Sequence, residues 1–287
     1  MLPEAKNEDL IYATGGCGGT CVLSYPAGKL VGSLDAGAEG DLDVAGCVDG
    51  DGDVFLPDYQ SELEYAHGGD KPIARLELQG SKGACSVDSR TGNLAVIYNA
   101  SGIGIAIFVN AKGTPQIYGA GIIPYGIGYD NQGNLFVSGL IVSGLTYGHT
   151  PGLAELTNGG GNFTALTISK KVGFPGQVQW DGKYITYEGT TKGRISVSRL
   201  SIAGSAATIV SKSRFKGISS NAYLSWIYGD TIIIPYANPG AKGRAAAIGL
   251  WKYPKGGNVI STIRKFGSYK NRTISLQGIT ISGAPSR

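Results

Sequence analysis

The stretch VDSRTGNL at Val87–Leu94 consists of an apolar residue, an aspartate, a glycine-containing turn and the start of an apolar strand. The aspartate can accept hydrogen bonds from its own turn and the glycine can adopt a positive φ, so this pattern is typical of a tight β-hairpin. The pattern recurs at four other places, the last of them divergent: Val48–Phe55, Tyr129–Phe136, Trp180–Ile185 and Trp226–Ile232. It therefore predicts a repeated unit of strands and short turns.

A second unit lies between these hairpins. It ends a strand on an aromatic or apolar residue, makes a turn that usually contains glycine, and begins a short strand. Six copies occur: Leu23–Leu30, Glu64–Ile73, Phe108–Pro115, Leu156–Phe163, Leu200–Ala206 and Trp251–Asn258. A spacing of about 40 to 50 residues between copies is typical of four-stranded propeller blades. We therefore predict an all-β chain that folds as a six-bladed β-propeller.

The two ends of the chain hold incomplete units. Residues 10–34 contain only three predicted strands, and an unpaired strand pattern follows at residues 276–282. The C-terminal strand is therefore expected to complete the N-terminal blade, which removes the exposed edges of an open array. With no linker in between, residues 1–287 are predicted to form one domain.

The composition agrees with strands and excludes other classes. Glycine provides 47 of 287 residues, tyrosine 16, and charged residues only 16%. No apolar stretch is long enough to span a membrane. The first six residues also lack the basic start and apolar run of a secretion signal. We expect an extracellular or cell-surface protein in its mature form, without its leader.

Three segments carry a resemblance to a known family: Gly83–Val96, Gly173–Tyr184 and Leu250–Pro254. They resemble the NHL-like six-bladed propellers of secreted proteins from environmental bacteria, especially acidobacteria. The resemblance covers nearly the whole chain. It implies the propeller fold and a bacterial secreted protein, and it implies almost nothing about activity.

The four cysteines suggest one disulfide. Cys17 and Cys21 lie across a tight hairpin, where a local disulfide is expected, and such a bond fits an oxidising compartment. Cys47 lies two residues before its turn aspartate, whereas Cys85 lies three residues before its own. Their strand faces differ, so no bond between Cys47 and Cys85 is expected.

The best metal signal is the acidic turn at residues 49–53. Asp49, Asp51 and Asp53 alternate with glycines, and oxygen ligands in such a turn can surround Ca²⁺. Asp58 follows further along. The turn lacks the glycine and the distal glutamate of a calcium loop, so a solvated acidic turn is the alternative interpretation.

A catalytic site is not predicted. Six-bladed propellers include metal lactonases and quinone-dependent dehydrogenases, whose sites need converging carboxylates, asparagine or histidine. His67 and His149 are the two histidines, and neither lies near a spaced set of carboxylates. We assign no catalytic residue and no cofactor beyond possible Ca²⁺. A lactonase- or lyase-type enzyme with a metal at the channel mouth is kept as an alternative.

Aromatic residues leave a carbohydrate-binding propeller as a further alternative. Six of them could stack on sugar rings or fill the cores between blades: Tyr125, Tyr129, Trp180, Tyr187, Trp226 and Tyr236. Packing between blades is the favoured interpretation. Sequons at Asn99, Asn162 and Asn271 could carry sugar in a glycosylating organism.

Charge is distributed unevenly along the chain. Residues 1–80 carry a net charge of −11, and residues 81–287 carry +15. In a ring these become opposite sectors that could attract each other on successive subunits. The candidate interface residues are Asp41, Asp43, Asp58, Glu62, Glu64, Lys170, Lys171, Lys192, Arg194, Lys212, Arg214 and Lys216.

These observations favour a non-enzymatic extracellular module that acts by binding or by self-assembly. The expected partners are further copies of itself, in a filament or surface layer, or other surface proteins. A glycan is a further candidate partner. Nucleic acid is not expected, because the basic residues are dispersed and few aromatics lie among them.

Overall fold

The computed structural model of the chain describes residues 1–36, 45–100, 102–143, 146–218, 224–237, 246–264 and 276–284. These residues form 24 β-strands and two short 3₁₀ helices, Pro3–Asn7 and Val109–Ala111. The predicted all-β class is confirmed.

The strands form six four-stranded antiparallel units, which we call blades 1 to 6. Blade 1 contains β1 (Leu10–Gly16), β2 (Gly19–Ser24), β3 (Leu30–Leu34) and β24 (Gly278–Ser282). Blade 2 contains β4 (Cys47–Val48), β5 (Val54–Asp58), β6 (Ser61–Tyr65) and β7 (Pro72–Glu77). Blade 3 contains β8 (Ser81–Val87), β9 (Leu94–Asn99), β10 (Ile103–Phe108) and β11 (Gln116–Tyr118).

The second half of the chain repeats this arrangement. Blade 4 contains β12 (Ile122–Tyr129), β13 (Leu135–Ser143), β14 (Thr146–Leu156) and β15 (Thr164–Ile168). Blade 5 contains β16 (Phe174–Trp180), β17 (Ile185–Thr191), β18 (Arg194–Ala203) and β19 (Ala206–Arg214). Blade 6 contains β20 (Trp226–Tyr228), β21 (Thr231–Ala237), β22 (Ala246–Lys252) and β23 (Ser261–Ile263).

The first strands of the blades form a closed ring. In blade order these strands are β24, β4, β8, β12, β16 and β20, and each contacts the first strands of the blades on both sides. The contact between β20 and β24 closes the circle. Four-stranded sheets arranged in this way around a central channel form a β-propeller.

The predicted closure by the C-terminal strand is confirmed. Strand β24 pairs antiparallel with β1, from Leu10 opposite Ser282 to Thr14 opposite Gly278. Every residue of both strands is buried. The two ends of the chain therefore share one sheet, in which β1 is paired on both sides, with β24 and with β2.

The hydrophobic core lies between the blades. Successive side chains of a strand point to opposite faces of its sheet, and each face packs on a neighbouring blade. Phe55 of blade 2, for example, shares a buried cluster with Leu94 and Phe108 of blade 3. Tyr187, Tyr236 and Trp251 are buried in clusters of this kind in the later blades.

The structure contains two disulfides, and one of them corrects a prediction. Cys17 and Cys21 are bonded across the β1–β2 hairpin. Cys47 and Cys85 are also bonded, with 5.5 Å between their Cα atoms, although no bond was expected there. They lie on opposite strand faces, but adjacent blades pack with opposite faces towards each other. Cys47, on the face of blade 2 that packs against blade 3, therefore meets Cys85, on the face of blade 3 that packs against blade 2.

The turns between first and second strands are organised by their aspartates. Asp88, Asp130 and Asp181 each accept a backbone N–H bond from the residue two positions later, at 2.8–3.0 Å. Asp49 does the same with the N–H of Asp51 at 3.0 Å. Because these turns all leave the first strands at the same end, they lie on one side of the ring, which we call the turn face.

Blades 4 and 5 are joined at their outer strands. β15 and β19 pair in parallel, with Thr167 opposite Ala206 and Ile168 opposite Ala207. The N–H of Thr167 donates to the carbonyl of Ser205 at 2.8 Å, and that of Ser169 donates to the carbonyl of Ala207 at 2.9 Å. The two blades thus form one eight-stranded sheet that is closed at its outer rim.

Glycine lets two first strands approach closely. A Cβ at Gly126 of β12 would lie 2.1 Å from the carbonyl oxygen of Gly176, and a Cβ at Gly128 would lie 2.5 Å from that of Val178. Both neighbours are backbone atoms of β16. Glycine is therefore required where blades 4 and 5 meet at the channel.

Candidate functional site

A cavity of about 180 Å³ lies at the channel mouth on the turn face. Its walls come from the first strands of five blades, blades 2 to 6, and from the turns that follow two of these strands. They include Ser86 of blade 3, Tyr129 of blade 4, Gln177 and Trp180 of blade 5, and Trp226 of blade 6. The cavity therefore exists only because the ring brings these strands together.

A larger cleft of about 510 Å³ separates blades 4 and 5 on the same face. One wall carries the turn of blade 4 and Glu155 of β14, and the other carries Trp180, Lys183 and Tyr184. Ser205, at the outer end of the cleft, accepts one of the bonds that join β15 to β19. The cleft is thus bounded at the rim by this strand pair.

The cavity and the cleft are continuous. Asp130, Asn131 and Trp180 line both of them. Together they form a groove that runs from the channel mouth to the outer rim, which we call the turn-face groove. An extended ligand could occupy it along its whole length.

Some polar side chains in the groove are already used by the fold. The Oδ1 atom of Asp130 accepts from the N–H groups of Gln132 and Asn134, and its Oδ2 atom accepts from the side-chain amide of Asn134. The Gln179 amide donates to the carbonyl of Ile227 and accepts from its N–H, both at 2.8 Å. Asp130 and Gln179 therefore shape the groove.

Two buried acceptors lack a partner within the described residues. Gln177 is 4% exposed, and its Oε1 atom has no hydrogen bond there. Glu155 is 9% exposed, lines the cleft, and likewise has no described hydrogen-bond partner. Buried polar groups are normally satisfied, so the Oε1 atom of Gln177 is suited to a donor supplied from the groove. The carboxylate of Glu155 lines the cleft and can accept hydrogen bonds from a ligand there.

The surroundings of Glu155 disfavour a negative charge on its carboxyl group. Burial raises the pKa of its carboxyl group, and the nearby negative charge of Asp130 raises this pKa further. Both effects penalise the ionised form. A ligand that donates hydrogen bonds to the carboxylate would relieve this penalty.

Aromatic rings form part of both walls. Trp180 and Trp226 are half-buried, and Tyr129 is buried with only its edge in the cavity. Arg199 lies 4.7 Å from the ring centre of Tyr184 in a cation–π contact and donates from Nε to Oδ2 of Asp181 at 2.6 Å. These contacts fix the orientation of Tyr184 beside the cleft.

The hydrogen bonds around Asp181 also make this wall rigid. The hydroxyl of Tyr253 donates to Asp181 Oδ2 at 2.6 Å. Burial opposes ionisation of Asp181, but the hydrogen bonds from Arg199, Tyr253 and the turn backbone outweigh it and lower the pKa of this carboxyl group. Asp181 therefore stays ionised near neutral pH and anchors the blade 5 turn.

The structure divides the six aromatic candidates into three groups. Tyr129, Trp180 and Trp226 lie at the channel mouth. Tyr187 and Tyr236 are buried between blades, as the packing interpretation predicted. Tyr125 lies towards the opposite end of β12, where its ring packs edge-on against Phe174 at 4.9 Å.

The carboxylates that come together at the acidic turn of blade 2 differ from the predicted metal ligands. Asp49, Asp53 and Glu64 place carboxylate oxygens within 4.8 Å of one another, the arrangement that could hold a metal ion. Asp51 is exposed and does not belong to this set, because it points away from the hairpin. Burial, followed by the charges of neighbouring aspartates, raises the pKa of Glu64.

The predicted interface residues differ in exposure. Lys170, Lys171, Lys192, Arg194, Arg214 and Lys216 are exposed, and Lys212 is half-buried. Asp58 and Glu64 are half-buried, and Glu62 is 1% exposed, so it is not available as an interface residue. Glu62 lies on β6 with its side chain directed between blades. Asp41 and Asp43 lie outside the described residues.

Sequence reasoning missed the two acceptors of the groove. A signal for Glu155 was present, since it is a charged residue in the otherwise apolar end of a strand, GLAEL at residues 152–156. Gln177 gave no comparable signal. It lies at an irregularity of the β16–β17 pairing, between Pro175 and Val178, which only the structure reveals.

Comparisons with known proteins show the fold. No family model matches the chain, and no curated protein matches it. A chain from a nidogen–laminin complex superposes with a TM-score of 0.66 at 16% identity, covering 98% of this chain and 100% of that one. A protein of unknown function from Bacteroides caccae superposes with 0.67 at 12% identity, covering 96% and 99%.

A third similar structure is named as a β-propeller domain. The Swd1 β-propeller domain from Myceliophteria thermophila superposes with a TM-score of 0.58 at 6% identity, covering 92% of this chain and 85% of that one. The protein is thus a β-propeller. Among the described residues, no helix is long and apolar enough to cross a membrane.

Proposed function

We propose that this protein is a non-enzymatic, extracellular binding module that holds an extended polar ligand in the turn-face groove. The observation that carries the proposal is the continuous groove, which has the unpaired, buried Oε1 atom of Gln177 in the wall of the channel mouth and the carboxylate of Glu155 in the wall of the cleft. A buried acceptor without a donor, such as that of Gln177, costs free energy, which a bound ligand would recover.

Binding fits the groove better than catalysis does. A hydrolytic or metal-dependent site needs an acid–base pair or a set of ligands that converge on one point. In the described part of the chain, the one cluster of three metal-ligating groups is Asp49, Asp53 and Glu64, and these residues do not line the groove. Within the described residues, Glu155 has no titratable partner in hydrogen-bond contact.

The extracellular location rests on the cysteines. All four are paired, Cys17 with Cys21 and Cys47 with Cys85. Disulfides persist in oxidising compartments and are rare in reducing ones. The resemblance to NHL-like bacterial secreted proteins agrees with this location.

Tryptophan fluorescence tests the proposal directly. Trp180 and Trp226 line the groove, whereas Trp251 is fully buried elsewhere. The protein is titrated with four classes of polymer: neutral oligosaccharides, uncharged peptides, polyamines and single-stranded RNA. We expect one class to change the emission, and Trp180→Phe to remove most of that change. No response to any class would contradict the proposal.

Charge-driven assembly is a second candidate function. It is favoured by six exposed basic residues in blade 5 and in the segments on either side of it: Lys170, Lys171, Lys192, Arg194, Arg214 and Lys216. The exposed acidic side chains of the first two blades, such as Asp51 and Asp70, would face them on the next subunit. Such contacts weaken as salt screens the charges.

Electron microscopy across a salt series, with the mass in solution, tests this candidate. Ordered strings or stacks that disperse as salt rises would support it. Single discs at every salt concentration would exclude it. The variant Lys192→Glu with Arg194→Glu should prevent stacking, and Lys112→Glu, a charge reversal in blade 3, provides the matched control.

A further inference from the structure

We infer that the ligand of the turn-face groove is a neutral oligosaccharide, with one sugar ring at the channel mouth and further rings along the cleft between blades 4 and 5. This inference rests on the proposed function and names its ligand class. It follows from the kinds of groups that the groove presents and from the kinds that it lacks.

Two acceptors of the described residues stand in the walls of the groove. Gln177 has an unpaired side-chain oxygen buried in the wall of the channel mouth, and Glu155 offers a carboxylate in the cleft. The ligand must therefore carry hydrogen-bond donors at two separated places. Sugar hydroxyl groups are such donors, and they recur along an oligosaccharide at every ring.

The aromatic side chains suit the apolar faces of sugar rings. Trp180 lies at the junction of the cavity and the cleft, Trp226 lies in the cavity, and Tyr184 lies in the cleft. A pyranose ring has an apolar face of C–H groups and an edge of hydroxyl groups. The aromatic rings in the groove walls can stack on the apolar faces of the sugars, and the acceptors between them can bind the hydroxyl groups at the edges.

A peptide fits less well, because the groove offers no free strand edge. Peptides commonly bind by adding a strand to an exposed sheet edge. Here the two outer strands that border the cleft, β15 and β19, pair with each other. The backbone groups that would hold an extended peptide are therefore already bonded.

Anionic polymers are disfavoured by charge. Lys183 is the one cationic side chain that lines the cleft, and Glu155 and Asp130 line it as well. None of the described residues that line the cavity at the channel mouth is cationic. Phosphate or uronate groups need clusters of Lys and Arg, so nucleic acids and acidic glycans would be repelled.

A cationic ligand is also disfavoured. At the channel mouth the free acceptor is a neutral amide, and the carboxylate of Asp130 already receives three hydrogen bonds from its own turn. In the cleft, Lys183 lines the wall together with Glu155, so a cation that approached Glu155 would also meet a like charge. A neutral donor is thus the best match along the whole groove.

The test uses the full chain and defined probes. Hexasaccharides of β-1,4-glucose, β-1,3-glucose, β-1,4-xylose, α-1,4-glucose and N-acetylglucosamine are titrated by calorimetry and by tryptophan fluorescence. We expect at least one to bind, with an affinity that changes less than about twofold between roughly 50 and 500 mM salt, because no ion pair forms. Binding should also protect Trp180 from acrylamide quenching.

Variants place the binding in the groove. Trp180→Ala and Glu155→Gln should each weaken binding about tenfold, since stacking and a buried charge-assisted hydrogen bond are both of that size. Tyr59→Ala removes a highly exposed ring from the opposite end of blade 2 and should leave affinity unchanged. If Trp180→Ala does not fold, protection of the wild-type tryptophans from quenching supplies the same information.

The possible outcomes separate the inference from the proposed function. Binding of a neutral hexasaccharide that depends on Trp180 and Glu155 supports both. Binding of a peptide, a polyamine or RNA at the same residues, with no response to the sugars, overturns the ligand class and leaves a binding groove. No response to any probe overturns both.

Discussion

The Nδ1 atom of His67 lies 2.5 Å from the hydroxyl oxygen of Ser282, the last residue of the closing strand β24. The same hydroxyl lies 2.5 Å from the carbonyl oxygen of Gly52, and the other ring nitrogen of His67 lies 3.1 Å from the carbonyl oxygen of Glu8. A loop of blade 2 is thereby fastened to both chain segments that close the ring in blade 1.

This contact predicts a dependence of stability on pH. Burial lowers the pKa of His67, and the Glu8 carbonyl and the charges of Asp9 and Asp53 only partly oppose that effect. Because the folded state prefers the neutral ring, the unfolded chain takes up the proton first as the pH falls. The stabilisation from a neutral His67 is therefore complete above about pH 6.5 and is lost progressively below it.

Urea unfolding between pH 8 and pH 5 measures this effect. The free energy of unfolding should fall over that interval in the wild-type protein. The variant His67→Gln keeps a donor and an acceptor but does not titrate, so its stability should change less. An equal pH dependence in both proteins would show that His67 does not contribute.

The two disulfides should contribute unequally to stability. A crosslink stabilises mainly by restricting the unfolded chain, and the effect grows with the length of the closed loop. Cys47 and Cys85 are 38 positions apart, so their bond is expected to stabilise the fold by about 4 kcal/mol. Cys17 and Cys21 are four positions apart, so their bond is expected to contribute about 2 kcal/mol. Guanidinium unfolding of the Cys47→Ala, Cys85→Ala and the Cys17→Ala, Cys21→Ala double variants gives the comparison. A larger loss in the second pair would contradict it.

Glycine at position 126 is predicted to be indispensable. Gly126→Ala would place a methyl group 2.1 Å from the carbonyl oxygen of Gly176, a backbone atom that can move only with its strand. We expect a loss of about 2–3 kcal/mol, the usual cost of overpacking. Ligand affinity should fall too, because Gln177 follows in the displaced strand. Gly119→Ala is the matched control, since nothing lies within 4 Å of its added Cβ.

The acidic cluster of blade 2 predicts a stabilising substitution. Burial and the charges of Asp53 and Asp49 raise the pKa of Glu64, so its ionised form is held at a cost. In the presence of a chelator, Glu64→Gln should therefore raise the melting temperature slightly, on the scale of about 0.5 kcal/mol for half-exposed charges. If the cluster binds Ca²⁺, adding that ion should reverse the order of the two proteins.

Local chemistry could be read from the sequence, whereas contacts between blades could not. The hairpins at Asp88, Asp130 and Asp181 were predictable because each aspartate bonds to its own turn. The closing strand was predictable because a propeller ring needs a complete last blade. The prediction for Cys47 and Cys85 compared the strand face of each cysteine relative to its own turn aspartate. Their bond depends instead on how the faces of two neighbouring blades meet.

The groove depends on the same kind of information. Glu155 comes from β14 of blade 4, Gln177 and Trp180 come from β16 of blade 5, and their common groove follows from the spacing of those blades. No sequence pattern indicated that β15 and β19 would pair, since parallel partners from different blades have no turn between them. The polar side chains were visible in the sequence, and their convergence was not.

The pairing of β15 with β19 also limits where other chains can attach. Every outer strand of a propeller is a potential template for strand addition by a second molecule. The outer strands of blades 4 and 5 pair with each other. Over this third of the circumference, the backbone therefore has no free outer edge to which a strand of another chain could pair. Any fibril that grew by edge-to-edge pairing would have to begin at the outer strands of the other four blades, β3, β7, β11 or β23.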